Sequence, residues 1–381
     1  MKTAEKPQPH KPQRKLEAVS LFSGGGGMDL GLEATGWVTG FCTDIDPHSV
    51  ITLQWGRAEA AKRGKKILTE SLIYRSDVKE IDAHFILEAI RRKKDEVHLL
   101  AGGPPCQAFS VFGKRRGRED HRGLLAYEYL RLLAELEPQA FVFENVYGIM
   151  TVEGGEVFTE ICKKIGEPKK GLKYSLSVLR LDAVDYGVPQ FRDRVFIIGS
   201  RNGKTIAQIP KITSQPGTSP FEGPRSWRTV RHALRGLPVI GTEPPANHTG
   251  RNHSQRIIER YASMRPGERD HFTRINKLDL DRPSFTIIVG SDKGGGKGHI
   301  HPIKPREVTP RESARIQTFP DWWAFAGTGR HPIRQIGNAV PPLLAAAVGN
   351  VIRSQIFGLE PVPFETILQV LDQTHLFQEE K

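Results

Sequence analysis

The sequence predicts an α/β protein, in which an open parallel sheet carries the chemistry and a second, smaller, loop-rich domain accompanies it. Three observations predict this. Short apolar runs alternate with helix-length segments from Leu16 to Ser200, the rhythm of strand–helix–strand units. The first run feeds a glycine loop, Ser23-Gly-Gly-Gly-Gly27, and the second ends on Thr43-Asp-Ile-Asp46, as sites for nucleotide-like ligands do. Between 201 and 305 the apolar periodicity fades and Pro, Gly, Thr, Arg and His take over, until regular structure resumes at Thr309.

Residues 1–15 are Lys- and Pro-rich without an apolar core, so they read as a disordered basic tail rather than a secretory signal. Residues 16–22 form the first strand, and the helix after the glycine loop is stopped by Gly36. The loop does not satisfy G-x-G-x-x-G, because Asp29 stands three places after Gly26, and a dinucleotide fingerprint is not supported. Asp44, at the tip of the second strand and 20 residues after Gly24, is placed to bind ribose hydroxyls. Loop and carboxylate together suggest an adenosine-containing ligand; a plain turn with a helix cap at Asp46-Pro47 is the simpler reading. Residues 55–70 read as an exposed helix, and Asp77 follows a third short apolar run.

Residues 97–100 form a buried strand that runs into Ala101-Gly-Gly-Pro-Pro-Cys-Gln-Ala-Phe-Ser110. Its glycines and prolines forbid an ordinary helix start and present Cys106 outward. A lone cysteine is more often a small buried hydrophobe, but at a strand's carboxyl end it is also a candidate nucleophile. A helix at 124–136 is closed by Pro138, and the strand 140–146 carries Glu144 near its end, a carboxylate costly to bury without a partner. Strands at 174–181 and 195–200, joined by a turn at 185–194, make an antiparallel hairpin at the far side of the sheet. Within 201–305 the one convincing strand is 281–289. Among its histidines, His248, His253, His271, His299 and His301 lack cysteine partners and metal-ligand spacing, so no metal is expected. Thr309-Pro-Arg-Glu312 is a capping box with Pro at the first helical position, and Pro320 ends that helix. Ile336-Gly-Asn-Ala-Val-Pro-Pro342 leads into a buried helix at 343–352.

The 381 residues suit a two-lobed enzyme, and a net charge of +12 favours a polyanionic partner. Three cysteines are too few for a disulfide framework and fit a reducing compartment. No run approaches the roughly 18 apolar residues of a membrane span, so no membrane partner is expected.

Taken in order, these motifs resemble the DNA cytosine-5 methyltransferase family. The matches are Phe22-Ser-Gly-Gly-Gly-Gly27, Gly103-Pro-Pro-Cys-Gln-Ala-Phe-Ser110, Phe143-Glu-Asn-Val146, Gln190-Phe-Arg-Asp-Arg194, Arg311-Glu-Ser-Ala-Arg-Ile-Gln317 with Phe319-Pro320, and Gln335-Ile-Gly-Asn-Ala-Val-Pro-Pro342. The resemblance implies a Rossmann-like, S-adenosyl-L-methionine-dependent methyltransferase sheet. It implies Cys106 as nucleophile on cytosine C6, Glu144 at N3 and Arg194 at O2, with Arg192 helping to hold the pocket. Phe22, Gly24, Gly26, Asp44, Ile45, Asp77, Pro105, Leu125, Asn338 and Val340 would line the cofactor site; Asp44 stands where many relatives carry Glu. Gln107, Ser110, Lys114, Arg115 and Arg116 would meet duplex DNA around a flipped base.

The implied organisation is a tail (1–15), a catalytic domain (16–200), a target-recognition domain (201–305), a return to the catalytic domain (306–360) and a C-terminal tail (361–381). The implied protein is a cytoplasmic, nucleoid-associated monomer acting on double-stranded DNA beside a cognate restriction endonuclease, with no metal. An RNA cytosine-5 methyltransferase and a non-catalytic DNA-binding relative are the alternatives.

Overall fold

A computed structural model describes residues 15–105, 124–216, 225–287, 289 and 298–378. Five strands run parallel: β1 (Leu16–Leu21), β2 (Trp37–Asp44), β3 (Leu72–Arg75), β4 (Leu99–Gly102) and β5 (Ala140–Val146). β6 (Ser175–Asp182) and β7 (Asp193–Ser200) form the expected hairpin, with β7 antiparallel to both β6 and β5. Across the seven-stranded sheet the order is β3-β2-β1-β4-β5-β7-β6. The chain reverses direction across the sheet between β1 and β4, and at that point the carboxyl ends of neighbouring strands splay around a crevice.

Successive residues of each inner strand feed two separate cores, because side chains alternate across the pleat. Leu99, Ala101, Ala140, Val142, Phe196 and Ile198 enter one core; Leu100, Phe141, Phe143 and Ile197 enter the other. The helices α1 (Gly27–Ala34) and α2 (Pro47–Lys62) cover the first face, together with the late helix α10 (Pro342–Val351). α3 (Ala83–Ala89), α4 (Leu124–Leu136) and α5 (Glu156–Gly166) cover the second. α1 meets α10 backbone to backbone: a Cβ on Gly31 would lie 2.4 Å from the Pro342 carbonyl oxygen, so only glycine fits.

Region 201–305 holds few regular elements among the described residues: α6 (Val230–Leu234), α7 (Gln255–Ser263) and a two-residue strand pair, β8 (Thr213–Ser214) with β9 (Arg225–Ser226). It has a small apolar core of its own, made of Tyr261, Met264, Ile275 and Ile300. It is tied to α8 (Pro310–Ile316), whose capping box forms as expected. Arg306 donates to both oxygens of Glu312 at 2.8 and 2.7 Å. Arg315 pairs with Asp321 and donates to the Arg235 carbonyl at 2.6 Å.

Three expectations are corrected. The helix expected at 55–70 lies earlier: Asp46 caps it by accepting from the His48 N–H at 2.8 Å, Pro47 opens it, and it ends at Lys62. The described part of 281–289 is not a strand; Ser284 makes one bridge to Gln190, which lies in an irregular turn. Pro189 and Pro283 remove the donors that a longer ladder needs. The segment 361–381 carries α11 (Phe364–Val370) and a short 3₁₀ turn (Thr374–Phe377). Its Ile367, Leu368, Leu371 and Leu376 enter the first core, so this part of the chain is packed rather than trailing. The apolar run His331–Ile356 has the length and composition to cross a membrane, but 89% of its most apolar stretch is buried inside the fold.

Candidate active site

Phe22 and Gly24, Asp44 and Ile45, and Asp77 fall at or just past the carboxyl ends of β1, β2 and β3, Glu144 lies near that end of β5, and Arg192 and Arg194 stand at the amino end of the antiparallel β7. At β1, Phe22 turns into the left-handed region (φ 57°) and Gly24 follows it (φ 53°). That turn aims the Gly24 N–H at β2, where it donates to Asp44 Oδ2 at 2.8 Å. The other Asp44 oxygen accepts from the Asp46 N–H at 2.9 Å. Burial pushes the Asp44 carboxyl above its ordinary value, against the pull of these two backbone donors. Beside it, Ile45 is 61% exposed, an apolar side chain held out at the crevice mouth. The end of β3 is drawn in as well, since the Ser76 N–H donates to the Asp44 carbonyl at 3.3 Å. Asp77 caps the short turn that follows, accepting from the Lys79 N–H.

The glycine loop rests on a tryptophan that the sequence reading passed over. Trp323 Nε1–H donates to the Gly25 carbonyl at 2.9 Å. A Cβ on Gly26 would come within 2.7 Å of the same ring, and one on Gly56 within 2.1 Å. The signal available in the sequence was indirect, namely small residues at 26 and 56 facing one large aromatic. Val340 closes on the loop from the other side, its carbonyl oxygen 2.1 Å from where a Gly27 Cβ would stand. Phe22 and Leu125 pack against the same core. Asn338 and Pro105 are exposed.

The second half of the site lies across β5 and β7. In their antiparallel register Glu144 faces Phe196 and Val146 faces Arg194. Glu144 and Arg194 are therefore diagonal neighbours on one face, within reach of a long side chain. They form an ion pair, Arg194 Nε to Glu144 Oε1 at 3.0 Å, and both are nearly buried (9% and 8% exposed). Burial raises the Glu144 carboxyl above its usual value, with Arg194 and then Arg192 pulling it back. Arg194 Nη1 is anchored to the Asp193 carbonyl at 2.7 Å.

Arg192 is 1% exposed and donates through Nη2 to the carbonyls of Gly337 (2.7 Å) and Ala339 (2.8 Å), on either side of Asn338. Desolvation pulls its pKa far down. It links the Glu144–Arg194 pair to the wall that carries Asn338 and Val340, in α9 (His331–Asn338) and the turn after it. A further clamp, Asn145 Nδ2–H to the Pro104 carbonyl at 3.1 Å, holds the loop after β4 against β5. A Cβ on Gly103 would lie 2.6 Å from Glu144 Oε2. The backbone leading to position 106 therefore passes against the carboxylate. Cys106 itself, with Gln107, Ser110, Lys114, Arg115 and Arg116, lies outside the described residues.

The crevice fits an adenosine-type cofactor on four counts. It has a turned glycine backbone with nothing nearer than 3.9 Å to where a Gly24 Cβ would stand, a carboxylate at the second strand tip, an exposed aliphatic beside it, and a half-buried Phe22. No group of three or more metal-ligating side chains occurs among the described residues.

Comparison with known proteins gives a consistent picture. The family model for C-5 cytosine-specific DNA methylase matches residues 16–354. The type II methyltransferase M.XorII of Xanthomonas oryzae pv. oryzae is 31% identical over 383 residues, covering 92% of this chain and 87% of that protein. M.Eco47II of Escherichia coli is 31% identical over 359 residues, covering 88% and 78%. Among solved structures, a prophage-encoded E. coli chain assigned as a DNA modification methyltransferase superposes with a TM-score of 0.68 at 28% identity, covering 90% of this chain and all of that one. The S. pombe Dnmt2 methyltransferase shares the fold, with a TM-score of 0.61 at 17% identity over 89% of this chain and 99% of its own.

Proposed function

Since the chain belongs to the C-5 cytosine-specific DNA methylase family and is a DNA cytosine-5 methyltransferase of the type II restriction–modification kind, we propose that it methylates a cytosine turned out of a specific duplex sequence, using S-adenosyl-L-methionine and a transient bond from Cys106 to C6. The observation that carries this reading is the buried Glu144–Arg194 pair, set against the loop that leads to Cys106.

Cytosine C5 is unreactive while the ring is aromatic. Addition of the Cys106 thiolate to C6 breaks that aromaticity and sends electron density toward N3 and O2. Glu144, its carboxyl already raised by burial, shares its proton with N3, while Arg194 donates to O2. Both act where water is excluded, so their charges count for more than they would in solvent. Arg192 and Asn145 position this pair and the loop rather than touch the base. When bound, S-adenosylmethionine supplies an electrophilic methyl carbon. Loss of the C5 proton and of the sulfur at C6 then restores the aromatic ring and frees Cys106.

On the cofactor side, Asp44 holds the ribose, Ile45 and Phe22 flank the adenine and Asp77 meets its amine. Gly24 and Gly26 let the backbone approach, while Pro105, Leu125, Asn338 and Val340 complete the walls. Gln107, Ser110, Lys114, Arg115 and Arg116 contact the DNA around the flipped base, and region 201–305 reads the target. The product protects host DNA from a restriction endonuclease that shares the site.

The test is incubation of the protein with labelled cofactor and duplex DNA. The label is expected in 5-methylcytosine, and a denaturant-resistant adduct with 5-fluorocytosine DNA should form and disappear in Cys106→Ala. Label on the exocyclic N4 of cytosine, or an adduct that survives in Cys106→Ala, overturns the mechanism.

A further inference from the structure

Residues 267–277 form a tight hairpin that stands out from the rest of region 201–305. The Gly267 N–H donates to the Lys277 carbonyl and the Lys277 N–H to the Glu268 carbonyl, both at 2.8 Å. The Asp270 N–H donates to the Ile275 carbonyl at 2.8 Å, and Arg269 bridges Asn276. At its tip Phe272 is 73% exposed.

That exposure is held in place by design of the turn. Asp270 is buried beneath the tip and accepts from the N–H of Thr273 at 2.7 Å and from the Thr273 hydroxyl. The same carboxylate pairs with Arg260 Nε at 2.8 Å. Arg260 in turn lies 4.9 Å from the centre of the Phe272 ring, bracing one face and leaving the rest to solvent. Below, Lys277 Nζ donates to the carbonyls of Tyr261 and Met264, which closes the hairpin onto its own small core. An aromatic ring fixed in water has its ordering cost already met, so contact with a partner yields more of its gross energy as affinity.

Charge selects the partner. Arg269, His271 and Arg274 are exposed around the ring, and residues 251–277 carry seven Arg and Lys against three acidic residues. A two-stranded ribbon has the width to enter the major groove of B-DNA, where a phenyl ring can meet a thymine methyl or stack at a distorted step.

We propose that the 267–277 hairpin is a DNA-reading element, with Phe272 in apolar contact with bases and Arg269 and Arg274 on the flanking phosphates. This rests on the reading that the chain methylates duplex DNA. The experiment measures initial rates of full-length protein on unmethylated plasmid DNA across DNA and salt concentrations, with cofactor affinity followed in parallel. In Phe272→Ala the KM for DNA should rise about 5- to 100-fold, the usual cost of one lost aromatic–base contact, while cofactor affinity and melting temperature stay at wild-type values. Phe272→Trp should restore most of the loss. Arg269→Ala with Arg274→Ala should flatten the salt dependence by roughly one unit per arginine. Wild-type DNA kinetics in Phe272→Ala overturn the proposal, and a docked protein would then be the better occupant. If the wild-type protein fails to methylate the plasmid, the underlying reading falls first and the proposal with it.

Discussion

Replacing Glu144 by Gln separates the proton from the shape. The amide keeps an oxygen where Arg194 Nε now donates at 3.0 Å, so Arg194 retains an acceptor. Trading the ion pair for a bond from the guanidinium to a neutral amide costs about 1–2 kcal/mol of stability. Glu144→Ala would instead leave a nearly buried guanidinium uncompensated, at about 3–5 kcal/mol, a large share of the 5–15 kcal/mol or so that holds a domain together. Gln is therefore the informative variant. Loss of a positioned proton donor typically slows the chemical step by ~10²–10⁴-fold, or about 3–5 kcal/mol of barrier. Single-turnover methylation at saturating cofactor and DNA should show that drop in Glu144→Gln with DNA affinity unchanged. The pH dependence gives a second readout. Burial holds the Glu144 carboxyl above 4.5, so the native protein binds this proton more tightly than the unfolded chain does. The stability this confers is present at acid pH and is lost as pH rises through the folded-state value. Gln cannot titrate, so the melting-temperature difference should shift in favour of Glu144→Gln as pH rises from 4.5. A single-turnover rate within tenfold of wild type would refute the assignment of Glu144 as the N3 proton donor.

Two further predictions concern stability. Asp29 is fully buried near the start of α1, and burial pushes its carboxyl from 3.8 to about 6; its contribution is present below pH 3.8 and lost as pH rises through 6, about 3 kcal/mol in all. Asp29→Asn should remove that component from a denaturant-measured stability profile between pH 4 and 7, and an unchanged profile would count against a protonated Asp29. A chain ending at Pro361 keeps every matched motif, since the family match stops at 354, yet it loses Ile367, Leu368, Leu371 and Leu376 from the first core. At about 1.5–3 kcal/mol per buried side chain, thermal unfolding should show a melting temperature lower by 10 °C or more, and an unchanged melting temperature would return this segment to the status of a tail.

What could be read from the sequence was local. The capping box at Thr309, the glycine stop at Gly36 and the 140–146 strand are written in adjacent residues, and they formed as read. The parallel sheet with an antiparallel hairpin at its far side followed from the alternation of strand and helix segments. What escaped was whatever depends on partners far along the chain. Trp323 meets Gly25 across 298 positions and Arg192 meets Gly337 across 145, and no spacing rule encodes either. The strand expected at 281–289 failed for the same reason: its apolar residues were read alone, but the segment it met was a proline-bearing turn. α11 was missed because it is short and follows Pro361 and Pro363.

The buried arginines explain why a motif can be recognisable without being chemical. Arg311 is fully buried and donates to the carbonyls of Ala246 (3.0 Å), Pro320 (2.9 Å) and Trp323 (2.7 Å). Through Trp323 it supports the glycine loop, and through Ala246 it holds part of region 201–305. Arg315 reaches the carbonyls of Ala233 and Arg235 from the same helix, and Arg192 clamps the wall around Asn338. Each satisfies carbonyls in irregular segments that have no ladder to join, work for which a planar five-donor fork is better suited than lysine. Removing one strands buried oxygens at both ends of the clamp and moves loops that lie against the crevice. Under the proposed mechanism, loss of activity on mutating Arg311 or Arg315 would report where the glycine loop and region 201–305 sit, whereas loss at Glu144 or Arg194 would concern charge on the base. Melting temperature and cofactor affinity should fall with the first pair and the single-turnover rate with the second.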